Sequence, residues 1–309
     1  MRVMIRAMIA LGAALVAVTA GWAAPAGADA ASCPVYSART WLPSPGLDGW
    51  AENLLVADGS VWVPRTLRNV VERYDDSGRL RASIVVTAPG SIRQGPDGMV
   101  YVASGDSTVN MIPGAPRTGA VVRLDPRAAQ PIARVFATGL GMPNGLVVES
   151  DGTVFVADGV LGLVRLRADG SIDTEWSARA PQNLAPTPVI DGTGMNGLIA
   201  VGDDLFLTMT MSSTGRVLRV PIDNPAATSS AADLTAPVPA ILDDLAVVDS
   251  TTLAVASAAG QVHLVDLRSH RVCSSSVGHP LTALAVVRGR PGELLATSET
   301  GQVITLRRQ

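Results

Sequence analysis

Four polar residues each open the same short hairpin pattern along this chain. After each of them come an apolar run, a turn of Asp, Gly or Ser, and a second apolar run. Two further copies of the pattern open on Gly90 and Thr282, which carry neither an acid nor an amide. Six copies at intervals of roughly 40 to 50 residues are typical of a β-propeller with one four-stranded blade per copy. The four polar residues are Glu52, Asn144, Asn196 and Asp243.

The repeat therefore predicts an all-β fold, a six-bladed β-propeller with four-stranded antiparallel blades. The sixth copy has only three strands, between Leu284 and Leu306, before the chain ends. An open ring would leave an unpaired sheet edge, so we expect the N-terminal segment Pro34–Trp41 to close the last blade. The strands predicted for the third blade are Leu146–Val148, Thr153–Ala157, Gly162–Arg167 and Ile172–Trp176.

Residues 1–30 have the pattern of a secretory signal peptide. Two arginines precede the apolar run 8–21, and Ala28-Asp29-Ala30 offers a cleavage site of small residues. The run is too short for a stable membrane span, so residues 31–309 are expected to be exported as a single propeller domain. A lipidated Cys33 at the mature N-terminus is the alternative.

The charge and the cysteines limit the partners and the compartment. A net charge of −3 with three tyrosines and three phenylalanines does not favour a nucleic-acid partner. We also expect a monomer that acts on a small-molecule substrate. Cys33 and Cys273 are an even count in an oxidising compartment, which predicts one disulfide near the closing seam. Two unpaired thiols are the alternative.

Three inserts interrupt the regular spacing of the blades. The segment Gly105–Thr118 lies between the second and third strands of blade two, and Ala180–Gly194 connects blades three and four. The segment Pro225–Pro239 links blades four and five. Loops at these positions lie on one face of a propeller, so we expect the first two inserts to cover the central cavity.

The heads of the innermost strands point at the axis of a propeller, so the four polar side chains should converge. Two carboxylates and two amides form an all-oxygen donor set that suits a hard cation. We expect one divalent cation, Ca²⁺ first, with Mg²⁺, Mn²⁺ and Zn²⁺ as alternatives. A cation would relieve the repulsion between Glu52 and Asp243. Ordinary turns at the two Asn-Gly pairs and solvated loop carboxylates are the competing interpretations.

The ordered set of Glu, Asn, Asn and Asp at strand heads resembles the senescence-marker-protein/gluconolactonase family of six-bladed propellers. That family includes regucalcin, and the paraoxonases are more distant. The resemblance implies that Glu52, Asn196 and Asp243 are metal ligands and that Asp243 is the general base. It further implies that Asn144 contacts substrate or metal.

The resemblance also points to residues beside these four. Asn53 and Asp244 occupy places where paraoxonases carry additional liganding groups or groups that support the ligands, which makes them candidates for the substrate site. The substrate-binding arginine of the family is replaced by Met142. This replacement predicts poor use of sugar lactones and a preference for more apolar lactones or esters.

The sequence as a whole favours an exported metal-dependent lactonase or esterase. The main alternative is a non-catalytic propeller of the NHL or YWTD kind that binds a protein or a glycan, because the fold does not decide function. A lyase of the virginiamycin-inactivating type would need a central histidine. None of His263, His270 and His279 heads an innermost strand.

Overall fold

A computed structural model of the chain describes residues 33–183, 185–238 and 241–309. These residues form six antiparallel sheets in sequence order, of which five have four strands. The predicted six-bladed, all-β propeller is therefore confirmed. The predicted signal peptide lies outside the described residues. Among the described helices, none combines the length and the apolar character that crossing a membrane requires.

Each blade runs outward from its innermost strand, and the first described strand, β1 (Tyr36–Leu42), belongs to the last blade. Blades one to three contain β2 (Leu55–Ala57), β3 (Ser60–Arg65), β4 (Val70–Asp75) and β5 (Leu80–Val85); β6 (Pro89–Gln94), β7 (Val100–Ser104), β8 (Gly119–Leu124) and β9 (Arg134–Leu140); and β10 (Pro143–Val148), β11 (Val154–Asp158) and β12 (Gly162–Leu166). Blades four to six contain β13 (Met195–Val201), β14 (Asp204–Met209), β15 (Arg216–Pro221) and β16 (Ser229–Asp233); β17 (Leu242–Asp249), β18 (Thr252–Ser257), β19 (Gln261–Asp266) and β20 (Val272–Ser276); and β21 (Leu281–Val286), β22 (Glu293–Ser298) and β23 (Val303–Arg308). The helices in the described residues are α1 (Thr174–Arg179) and the 3-10 turns Thr66–Arg68, Thr108–Met111 and Pro225–Ala227.

The ring closes as the sequence predicts, because β1 pairs antiparallel with β23. Tyr36 lies opposite Arg308 in this pairing, which makes β1 the outermost strand of the sixth blade. A disulfide joins Cys33, just before β1, to Cys273 in β20, with a Cα–Cα distance of 5.2 Å. The disulfide therefore ties the closing strand to the outer strand of blade five, the pairing that the sequence predicts.

The third blade departs from the prediction at its outer edge. The predicted strand Ile172–Trp176 is wrong, since Ile172 makes only an isolated bridge and the chain then forms α1. The side chain of Asp173 accepts a hydrogen bond from the Trp176 backbone N–H at 3.2 Å and so caps the helix N-terminus. Burial of the Trp176 side chain then fixes α1 at the position of the missing strand.

The segment Pro225–Pro239 is also more regular than predicted. It contains a 3-10 turn and the strand β16, which is the outer strand of blade four. The connection between blades four and five is therefore shorter than the predicted insert and starts only after Asp233.

Neighbouring blades pack through the apolar faces of their strands. One buried cluster, for example, combines Phe155 and Ala157 of blade three with Leu198 and Leu207 of blade four. Such clusters bury the Val, Leu and Ile side chains that alternate along the strands. The innermost strands are held in place from both sides, so that their first residues have fixed positions at one end of the ring.

Candidate functional site

The same backbone pairing recurs where the innermost strands begin. It determines which residue lies at the equivalent position in each blade. In blade three, Pro143 pairs with Asp158, the last residue of the second strand, and the register then shifts at a bulge. The same pairing and shift occur in blades two, four, five and six, and blade one has the bridge of Ala51 with Arg65. The residue after each pair belongs to what we call the axial ring. Its members are Glu52, Gly90, Asn144, Asn196, Asp243 and Thr282.

The axial ring brings Glu52 and Asn144 into direct contact. Asn144 Nδ2 donates to Glu52 Oε1 at 2.8 Å, although the two residues are 92 positions apart. The other carboxylate oxygen, Glu52 Oε2, accepts from Trp50 Nε1 at 2.5 Å. Both Glu52 and Asn144 are buried, so the amide and the carboxylate are held in fixed orientations.

A third carboxylate, Asp106, enters the site from the insert of blade two and was missed by the sequence analysis. Asn144 Nδ2 also donates to Asp106 Oδ2, at 3.2 Å. The Cβ of Asp106 lies 3.3 Å from the position that a Cβ on Gly90 would occupy. Gly90 has no side chain at its place in the axial ring, and Asp106 takes the adjoining space. The Asp106 backbone N–H donates to Ala88 O at 2.9 Å, which fixes the start of the insert.

Two oxygens of the axial ring are buried without a hydrogen-bond partner. Asn196 Nδ2 donates to Thr210 Oγ1 at 2.8 Å, and this leaves Asn196 Oδ1 unpaired. Asp243 Oδ1 is likewise unpaired, and the exposed fractions of Asn196 and Asp243 are 8% and 6%. Buried polar atoms in proteins are almost always hydrogen-bonded. Two unpaired oxygens on consecutive blades are therefore a specific feature that a bound cation would explain.

The charged forms of the three carboxylates are destabilised by burial and by neighbouring negative charges. Burial is the largest cause that raises the pKa of Glu52, Asp106 and Asp243 above the ordinary range of carboxyl groups. The charge of Glu52 further raises the pKa of both Asp106 and Asp243. A cation among these groups would reverse the effect, because it stabilises the ionised carboxylates.

A second network lies one residue further along the same strands. Arg93 Nη2 donates to both carboxylate oxygens of Asp244, at 2.9 and 2.7 Å. Arg93 Nη1 donates to Asn53 Oδ1 at 2.8 Å, and Asn53 Nδ2 donates to Asp244 Oδ2 at 2.7 Å. The predicted substrate-site residues Asn53 and Asp244 are thus bound to each other and to Arg93, directly after Glu52 and Asp243 in the chain.

The two Asn-Gly pairs are not turns. Gly145 and Gly197 lie inside β10 and β13, and neither has a positive φ. A Cβ on Gly145 would lie 2.3 Å from Asn196 O, and a Cβ on Gly197 would lie 2.6 Å from Asp243 O. The glycines therefore allow adjacent innermost strands to approach closely, and the turn interpretation of the sequence is wrong.

The donor groups of the site are of mixed chemistry. Within residues 33–183, 185–238 and 241–309, no group of three or more His, Cys, Asp or Glu side chains is arranged to hold a metal ion. Any cation site at the axial ring must therefore use amide oxygens together with carboxylates. The metal, base and substrate roles assigned from the sequence stay predictions.

The remaining candidate residues lie beside the ring or away from it. Met142, two residues before Asn144, is half-buried, and its methyl group lies against Gly159. His263 lies in β19, the third strand of its blade, and burial lowers its pKa to about 4. All three histidines fall in the described part of the chain, and none belongs to the axial ring.

The sequence matches no protein-family model, and no curated protein is significantly similar to it. Solved structures share its fold. A gluconolactonase from Xanthomonas campestris is 14% identical, with a TM-score of 0.63 over 92% of this chain and 98% of that one. Regucalcin from Agrobacterium tumefaciens, described as a calcium-binding protein, is 16% identical, with a TM-score of 0.61 over 88% and 94% of the two chains. A catalytically inactive virginiamycin B lyase from Staphylococcus aureus, solved with quinupristin, is 12% identical, with a TM-score of 0.61 over 88% and 99%. The fold implied by the resemblance is therefore confirmed, and identities this low establish the fold alone.

Proposed function

We propose that this protein is an exported, divalent-cation-dependent hydrolase of lactones or related esters, of the gluconolactonase and regucalcin type. The observation that carries this proposal is the pair of unpaired buried oxygens, Asn196 Oδ1 and Asp243 Oδ1, within a ring that also holds buried Glu52. A propeller that only binds a partner through its surface has no need for such groups. The shared fold with gluconolactonase and regucalcin is consistent with the proposal.

The residues present fit a hard divalent cation. Because no three carboxylates of the described residues are arranged to hold an ion, the cation would take carboxylate oxygens of Asp243 and of either Glu52 or Asp106 together with the unpaired amide oxygen of Asn196. Asn144 donates to Glu52 and to Asp106 through Nδ2, so its carbonyl oxygen can serve as a further donor atom. Ca²⁺ takes six to eight oxygen ligands, which suits this mixed set better than a small octahedral ion. When bound, such a cation would polarise an ester carbonyl and lower the pKa of a water molecule.

Hydrolysis adds water across the acyl C–O bond, and a base must accept the proton that the attacking water loses. Asp243 is suited to this role because its Oδ1 can face the cation while its second carboxylate oxygen accepts the proton. Trp50 and Asn144 hold the two oxygens of Glu52, so Glu52 is suited to a fixed binding role and less to proton transfer.

The proposed export has one structural support. The disulfide between Cys33 and Cys273 is typical of an oxidising environment, which export through a secretory signal provides. The proposal of secretion otherwise rests on the sequence of residues 1–30.

The experiment is a hydrolysis assay on the purified protein residues 31–309, with pH-stat detection of the acid formed. Glucono-δ-lactone, γ-butyrolactone, γ-dodecalactone and phenyl acetate are tested after treatment with EDTA and again after Ca²⁺ is restored. We expect hydrolysis of at least one lactone that is lost with EDTA and recovered with Ca²⁺. Inactivity on all four substrates in Ca²⁺, Mg²⁺, Mn²⁺ and Zn²⁺ would favour a partner-binding propeller instead.

A further inference from the structure

Large apolar side chains are exposed in two loops that also supply contacts to the axial ring. In the insert of blade two, Val109, Met111 and Ile112 are 63%, 41% and 59% exposed. In the loop between β14 and β15, Met211 is 64% exposed. Single exposed apolar residues are common on protein surfaces, but several of them in two loops that contact the same polar site indicate a binding surface.

The insert of blade two is anchored at the site. Its second residue, Asp106, accepts a hydrogen bond from Asn144 Nδ2. Further along, Asn110 Nδ2 donates to Gly105 O at 2.8 Å, which folds the 3-10 turn back onto the start of the insert. Val109 and Met111 flank Asn110 in the chain, so their backbones are held close to the residue that enters the ring.

The loop of blade four is anchored in the same way. Thr210 Oγ1 accepts from Asn196 Nδ2 at 2.8 Å, and Met211 is the next residue. The Met211 backbone N–H donates to Thr193 O at 3.1 Å, so its main chain is fixed while its side chain is exposed. Half-buried Met142 belongs to blade three, between these two loops in the order of the ring. We call the set Val109, Met111, Ile112, Met142 and Met211 the apolar lip.

We propose that the apolar lip binds the hydrocarbon chain of an amphiphilic substrate, an aliphatic lactone or ester whose carbonyl group lies at the axial ring. This inference rests on the proposed hydrolase function and adds the class of substrate. The carboxylates and amides of the axial ring, together with a cation, suit the polar carbonyl end of such a substrate. The apolar lip begins three residues after Asp106 in one loop and one residue after Thr210 in the other. It therefore suits the hydrocarbon chain attached to that polar end.

Transfer of a methylene group from water to an apolar surface is worth about a three- to fourfold change in an equilibrium constant. A methylene group that is only partly buried on the apolar lip will change the equilibrium constant by a smaller factor. We therefore expect kcat/KM to rise roughly twofold for each methylene added between γ-butyrolactone and γ-dodecalactone, mainly through a lower KM.

The test measures kcat/KM of the protein, residues 31–309, for these two lactones in the presence of Ca²⁺. The double variant Val109→Ser with Met211→Ser is expected to lower the ratio of kcat/KM for γ-dodecalactone to that for γ-butyrolactone by roughly tenfold. The matched control is Ile132→Ser, since Ile132 is 68% exposed in the loop between β8 and β9 at the opposite end of the blade. The control should leave the ratio unchanged. Because all three side chains are exposed, thermal melting should confirm that each variant folds.

The outcomes separate this inference from the function on which it rests. Hydrolysis of both lactones with equal kcat/KM, or an unchanged ratio in the double variant, would contradict the proposed role of the apolar lip. The proposed hydrolase function would not be affected by either result. No hydrolysis of any lactone or ester would overturn the hydrolase itself. If the double variant instead lost co-sedimentation with phosphatidylcholine vesicles while the ratio held, the surface would be a membrane contact and the inference would be wrong.

Discussion

Replacing Asp243 by asparagine is expected to lower lactone hydrolysis by at least about a hundredfold, the lower end of general-base contributions. The substitution keeps the size of the side chain and one oxygen that can face a cation. It removes the negative charge and the group proposed to accept the proton from water. The measurement is kcat/KM of Asp243→Asn and of the unchanged protein, at saturating Ca²⁺ and at several pH values.

Two further measurements make this result specific. The control variant is Asp203→Asn, at an exposed aspartate in the turn between β13 and β14, which should keep full activity. The Ca²⁺ affinity of Asp243→Asn should fall less than its kcat/KM, because Asn retains a donor oxygen. Hydrolysis that persists in Asp243→Asn would remove Asp243 from the mechanism.

The second large effect concerns stability against pH in the absence of a cation. The pKa values of Glu52, Asp106 and Asp243 are raised in the folded protein, so the folded state binds more protons than the unfolded state at pH values between the unfolded and the folded pKa values. The contribution of these groups to the free energy of unfolding is fully present below the pKa values of the unfolded state. It is lost as the pH rises through the pKa values of the folded state. A tenfold difference in proton affinity between the folded and unfolded states corresponds to about 1.4 kcal/mol of unfolding free energy. In EDTA, the melting temperature should therefore fall between about pH 5 and about pH 8.

Ca²⁺ should reverse most of this loss, because it stabilises the ionised carboxylates and binds only the folded state. The gain in melting temperature on adding Ca²⁺ is expected to be larger at about pH 8 than at about pH 5. In EDTA at the higher pH, Asp106→Asn should raise the melting temperature, since it removes one charge and its remaining oxygen can still accept from Asn144, whereas Asp203→Asn should not change it. A melting temperature that is independent of pH in EDTA would contradict the account of the buried carboxylates.

The sequence was sufficient for the parts of the site that follow the repeat. Glu52, Asn144, Asn196 and Asp243 recur at the head of an innermost strand, and the pairing at that position is set by the blade itself. A repeat that builds similar blades brings equivalent positions to the same axis. For this reason the pattern could place residues up to 191 positions apart in one ring without any knowledge of their contacts.

Asp106 could not be found in this way, because it belongs to an insert that the other blades lack. The signal that pointed to it was Gly90, a ring position without a side chain in the same blade as the insert. The strand predicted at Ile172–Trp176 failed because a local signal was overlooked. Asp173 as a cap, with Glu175 in the first turn, favours the helix α1.

The central claim is that the axial ring binds one divalent cation through carboxylate and amide oxygens. The most direct measurement is an isothermal calorimetric titration of EDTA-treated, dialysed protein with Ca²⁺. We predict saturable binding of about one ion per chain, weakened in Asp106→Asn and unchanged in Asp203→Asn. No binding of Ca²⁺, Mg²⁺, Mn²⁺ or Zn²⁺, with a melting temperature that none of them changes, would contradict the claim.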